Sequence, residues 1–97
     1  MFLGKYKKAE RYFARAYKVA VHESQYEFAS KIAFEIAKIH IKYGRFKTAK
    51  SWLDEVVSNN EGHMEAYLLK ARLSKILGQK EEFKVLLENI YRQILQG

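Results

Sequence analysis

The 97-residue chain has no cysteine, no proline, a single tryptophan and only five glycines. Without cysteine it can form neither disulfides nor thiolate metal sites, so packing alone must hold it, which fits the cytoplasm. Proline punctuates sheets, turns and linkers and is avoided inside helices, so its absence beside so little glycine points to long helices joined by tight connections. No apolar run approaches the roughly 18 residues of a membrane span, and residues 1–5 lack the charged stretch followed by an apolar one that marks an export signal. Neither membrane insertion nor export is expected. Glycine-rich phosphate loops and the Gly-x-Ser-x-Gly turn of a serine nucleophile are missing too.

What is present is the composition of one folded domain, residues 1–97, with 48% hydrophobic and 30% charged residues. The formal charge is +7. Twelve of the eighteen lysines and arginines but only four of the eleven acids fall in residues 1–50, a net of +8 against −1 for residues 51–97. The first half therefore attracts acidic partners.

Apolar residues recur at three- and four-residue spacing in five blocks, and nowhere does a two-residue alternation last long enough for a strand. The fold class expected is all-α. Block one runs from about Tyr6 to His22, with Ala9, Phe13, Ala16 and Ala20 on one face. The second, about Gln25 to Tyr43, carries Phe28, Ile32, Ile36 and Ile39 and stops at Gly44. Ala49, Trp52, Leu53 and Val56 share a face of the third, about Phe46 to Val57, which the polar Ser58–Gly62 turn follows. His63 to Leu77 makes the fourth, with Ala66, Tyr67, Ala71 and Leu73, ending at Gly78. The fifth, about Lys80 to Gln96, offers Phe83, Leu87, Ile90 and Ile94. Glycine suits the left-handed residue that closes a helix, and links this short force neighbouring helices into antiparallel hairpins.

A cassette recurs around the glycines: Gly4-Lys5-Tyr6-Lys7-Lys8-Ala9, Gly44-Arg45-Phe46-Lys47-Thr48-Ala49 and, more weakly, Gly78-Gln79-Lys80-Glu81-Glu82-Phe83. An apolar residue follows four positions on (Phe13, Leu53, Leu87) and another three later (Ala16, Val56, Ile90). This pattern resembles the tetratricopeptide repeat, a 34-residue helix-turn-helix in which glycine ends helix A and an aromatic opens helix B. Gly44 and Gly78 are one such period apart, and small Ala37 and Ala71 stand where helices must approach closely. Elsewhere the helix A pattern is degraded, with His40 and Ser74 where tyrosine is usual. Gly4 and Gly44 are 40 residues apart, so one of the first two blocks is lengthened. The resemblance implies about five helices in hairpins stacked as a short right-handed superhelix: a half repeat over 1–24, then repeats over 25–62 and 63–97. Arrays of this kind bury their cores between neighbours and finish in polar caps. Here the first helix lacks its partner, and Val85, Leu86, Tyr91 and Leu95 widen the apolar stripe of the last, so an edge is expected to pack on a second copy or on further repeats.

The family places ligands on the concave face of its A helices. In this register those positions are Lys31, Phe34, Lys38, Ile41 and Lys42 in the first full repeat and Glu65, Leu68, Arg72 and Lys75 in the second. The cations would rim a groove floored by Phe34, Ile41 and Leu68, suited to an acidic or amphipathic peptide. The plainer alternative is the solvated side of an amphipathic helix.

Other chemistries find less support. His22, His40 and His63 lie in different blocks, none with a ligand at helical metal spacing; His40 reads as a packed histidine. The adjacent carboxylates Asp54-Glu55 and Glu81-Glu82 diverge by about 100° on a helix and read as solubilising rather than catalytic. No enzyme activity, cofactor or metal is expected. The alternative function is RNA or other nucleic-acid binding, because Lys5, Lys7, Lys8, Arg11, Arg15 and Lys18 crowd the first block amid aromatics, leaving Tyr12 and Tyr17 free to stack on bases.

Overall fold

The computed structural model describes residues 2–96, with side chains from Tyr6 to Gln96. Among the described residues there are five α-helices and no strand: α1 Phe2–His22, α2 Tyr26–Lys42, α3 Phe46–Asn59, α4 Met64–Ile76 and α5 Lys80–Gln96.

The connections after α1, α2 and α4 are built alike. Ser24, Gly44 and Gly78 donate their backbone N–H to Val21, Ile41 and Lys75, while Gln25, Arg45 and Gln79 reach back to the carbonyls of Ala20, His40 and Ser74. This double closure needs a left-handed residue just beyond the helix, and φ is 58° at Ser24, 76° at Gly44 and 74° at Gly78. The carbonyls of Gln25, Arg45 and Gln79 then accept from Ala29, Ala49 and Phe83, so the residue that closes one helix opens the next. The connection from α3 to α4 differs. Asn60 leaves the helix extended and accepts the Gly62 N–H at 3.2 Å, and His63 caps α4 by accepting the Ala66 N–H at 3.2 Å.

One expectation is corrected here. Gly4 lies inside α1, not at a helix end. A turn of the same build as Gly44-Arg45-Phe46 joins α1 to α2 at Ser24-Gln25-Tyr26, with Ala29 standing as Ala49 does, and a serine in the glycine position conceals it. With Gly4 inside the 21-residue α1, the 40-residue interval from Gly4 to Gly44 no longer measures a repeat. A non-glycine residue at positive φ is strained, so Ser24→Gly is expected to stabilise the fold by about 0.5–1 kcal/mol. Gly44→Ala should cost about 1 kcal/mol on φ alone, since a Cβ there would meet nothing within 4 Å. Urea midpoints measure both, and a Ser24→Gly protein that unfolds earlier would contradict the assignment.

Each helix packs on the next, and the apolar faces merge into three clusters. Ala20 of α1 meets Ala29, Ile32 and Ile36 of α2. Ala33 and Ala37 of α2 meet Leu53 and Val56 of α3 and Leu73 of α4. Ala71 of α4 meets Leu86 and Ile90 of α5. The thinnest dimension, 16 Å, has room for two helix layers at the usual 8–10 Å spacing. Alanines at 29, 33 and 37 form a fully buried row along α2. Their lack of bulk lets the neighbouring helices close on α2, which is buried more completely than any other helix.

Two faces differ from the expected stripes. On α2, Phe28 is exposed. On α5 the buried residues are Leu86 and Ile90, with Phe83 partly buried against them, whereas Leu87 and Ile94 are exposed. Spacings of three and four both fit a helix, and α5 has apolar residues on two sides, so its pattern does not say which side meets α4.

Candidate functional site

The basic positions expected on the A helices are exposed: Lys31, Lys38 and Lys42 on α2, and Arg72 and Lys75 on α4. Lys38 pairs with Glu35 at 2.9 Å and lies 5.1 Å from the Phe34 ring centre. The apolar floor is different. Phe34 is only 9% exposed, its ring against that of His63 at 4.7 Å, and Ile41 packs on the central cluster. Only Leu68 of the three offers substantial apolar surface. The Phe34–His63 contact brings the N-terminal cap of α4 against α2, so the cations sit on two helices over a mostly closed core. Packing on several sides widens the buried stripe of α2 until it takes in positions that helical spacing alone assigns to the groove.

The adjacent carboxylates do more than solubilise. Glu82 and Gln79 hold the buried ammonium of Lys50, Glu82 at 2.6 Å, tying α3 to the start of α5. Asp54 pairs with Lys70 at 2.5 Å, joining α3 to α4. Glu55 accepts the Tyr17 hydroxyl at 2.6 Å, joining α3 to α1. Such partners lie on different helices and leave no local spacing to read.

Tyr17 is consequently not free to stack on a base. Its ring stands edge-on to Trp52 at 5.3 Å, and its hydroxyl also accepts from Asn59 at 2.9 Å. Burial, and then the Glu55 contact, push its pKa up to about 12 against the smaller opposing effect of Asn59. A raised pKa means that the folded state favours the protonated phenol. That contribution is complete below the ordinary tyrosine value near 10 and is lost as pH climbs towards 12. Tyr17→Phe should therefore flatten the loss of stability between about pH 10 and about pH 12. Urea titrations through that range test it, and an unchanged alkaline slope would contradict it.

On α1, Lys7, Lys8, Arg11, Arg15 and Lys18 are all exposed, and Glu10 is the only acid between Tyr6 and His22. Tyr12 is 73% exposed, in a hollow with Lys8, Arg11 and Arg15. His40, by contrast, is packed away, its Nδ1 2.7 Å from the Tyr6 hydroxyl. Burial lowers its pKa and Arg45 lowers it further, against an opposing pull from Glu10. Among the described residues no group of three or more His, Asp or Glu could hold a metal ion, and no helix is long and apolar enough to cross a membrane.

Among the described residues, α5 carries the most exposed large apolar side chains. Tyr91 is 65% and Leu95 68% exposed, and Val85, Leu87 and Ile94 stand out with them. Leu87, Tyr91, Ile94 and Leu95 follow the i, i+4, i+7, i+8 positions of a single helix stripe. Val85, Tyr91 and Leu95 are legible in the sequence as residues beyond the core stripe. Leu87 and Ile94 are not, because they fit the core spacing as well as Leu86 does.

No protein family, curated protein or solved structure matches this chain. Its own surfaces are what bear on function.

Proposed function

We propose that this chain is a non-catalytic protein-interaction module that pairs with a second copy through α5 and receives an acidic segment on its basic α2 and α4 rows. The observation that carries the proposal is the uncovered α5 stripe. Contiguous exposed apolar surface on a small domain marks a contact site. Charge favours a second copy as its occupant. The C-terminal half is nearly neutral, at −1, and α5 carries both signs on its outer side, with Glu88 and Arg92 one turn apart. Stacking α1 of one copy on α5 of another would set a face of five cations against leucine and isoleucine, which is poorly matched. A two-fold antiparallel pair of α5 helices is self-complementary. With Tyr91 at the axis, Leu87 of each copy lies opposite Leu95 of the other.

The array is, in this proposal, of tetratricopeptide type, a right-handed superhelix with α2 and α4 on the concave side. Support comes from the 34-residue interval between Gly44 and Gly78, from their shared left-handed turn, and from Ala37 and Ala71, which are buried at the close-contact positions. With no cysteine of its own, the chain allows a clean test. Tyr91→Cys should form an intermolecular disulfide under mild oxidation, and Tyr12→Cys on α1 should not. Equal cross-linking of both, or of neither, would contradict the α5 pair.

Nucleic-acid binding remains a second reading, favoured by the row of five exposed cations beside Tyr12 on α1. Its signature is RNA affinity that falls steeply with salt and is weakened by Arg11→Gln and Tyr12→Ala. Affinity for RNA no greater than for an acidic peptide would set it aside.

A further inference from the structure

Where α1, α2 and the start of α3 meet, a cleft is lined by Lys7, Glu10, Arg11, His40, Arg45 and Thr48. The start of α3 is open to an anion. Arg45 occupies its N-cap position without a side-chain hydrogen bond, and its first turn holds no acid, whereas the first turns of α2, α4 and α5 hold one or two. The first-turn N–H groups of a helix have no internal partner, and they carry the positive end of its dipole.

A second observation points into the same cleft. His40 is 4% exposed, and its Nε2 has no hydrogen-bond partner. The hydroxyl of Tyr6 is buried and finds its partner in His40 Nδ1. Where that hydroxyl donates to Nδ1, the imidazole carries its proton on Nε2 and presents it as a donor. A buried donor left without an acceptor is costly. The guanidinium of Arg45 lies 5.4 Å from the Tyr6 ring and so belongs to the same assembly. Glu10 is the one acid facing the cleft, 3.9 Å from Nε2.

We infer that this cleft binds a phosphate-type oxyanion, accepting from His40 Nε2–H and the first-turn N–H groups of α3 and held by Arg11, Arg45 and Lys7. Three cations against one carboxylate suit a dianion, and guanidinium groups grip phosphate through paired N–H donors. Thr48 adds a hydroxyl at the third position of the helix. The site is independent of α5 pairing, so either can fail without the other.

The test follows the imidazole resonances of His40 by NMR while sodium phosphate is added, with sodium chloride at equal ionic strength as control. Saturable movement of His40 beyond the chloride control is expected, with His22 and His63 tracking chloride. Arg45→Gln and Arg11→Gln, both at exposed positions, should each weaken binding about tenfold. Glu10→Gln should tighten it by removing the like charge. A parallel titration uses a phosphoserine peptide and its serine counterpart. Saturation by phosphate itself identifies a small free anion as the source, and saturation by the phosphopeptide alone identifies a phosphorylated segment. The inference is overturned if neither phosphate nor the phosphopeptide moves His40 beyond chloride, if Arg45→Gln leaves binding unchanged, or if the serine peptide binds as well as its phosphorylated form.

Discussion

Replacing Leu53 by alanine is expected to cost about 2–5 kcal/mol, the usual penalty for emptying a buried leucine site. Leu53 is fully buried on α3 at the centre of the largest cluster, where α2, α3 and α4 converge. The small alanines around it, Ala33, Ala37, Ala49 and Ala66, already hold the helices at close approach, so the neighbours have little slack with which to fill the hole. Domains of this size have total stabilities of about 5–15 kcal/mol, so Leu53→Ala should shift the urea midpoint drastically or leave the chain partly unfolded. Ser74→Ala on α4 is the matched control. Its hydroxyl is buried without a partner, so its removal should be neutral or mildly stabilising. A Leu53→Ala protein losing less than about 1 kcal/mol would mean that the three helices do not converge there.

The second large effect concerns association. The double substitution Tyr91→Glu and Leu95→Glu should weaken self-association at least about a hundredfold, because each copy would bring two carboxylates into an apolar seam and meet two more. Both side chains are mostly exposed in the single chain, so helix content and urea midpoint at low concentration should change little. Light scattering with circular dichroism separates the outcomes. Lost pairing with an intact fold supports the α5 contact, and undiminished pairing would place the interface elsewhere.

How much of this was legible in the sequence varied with the physics behind each feature. The five helices were readable because periodicity is a local signal and no proline interrupts it. The ends at Gly44 and Gly78 were readable because positive φ is natural for glycine. The matching end at Ser24 was hidden, since serine tolerates that conformation only at a cost. Gly4 misled for the converse reason: a helix can contain a glycine at modest penalty. The exposure of Lys31, Lys38, Lys42, Arg72 and Lys75 followed from their helix register off the core face, whereas charge alone would have exposed Lys50 too. Closure of the groove floor at Phe34 did not, because it depends on His63 arriving from the cap of another helix. Long-range pairs such as Lys50 with Glu82 and Tyr17 with Glu55 leave no local trace, so carboxylates that join helices looked like ordinary surface charge.

Sedimentation of the unmodified protein across a wide concentration range, at low and at high salt, tests the proposed module most directly. Pairing through an apolar α5 seam should give a reversible dimer whose affinity holds or strengthens in salt, since screening removes the repulsion between two copies of a +7 chain. A species that stays monomeric at the highest concentration in both salts, or a dimer that dissolves as salt rises, would contradict it.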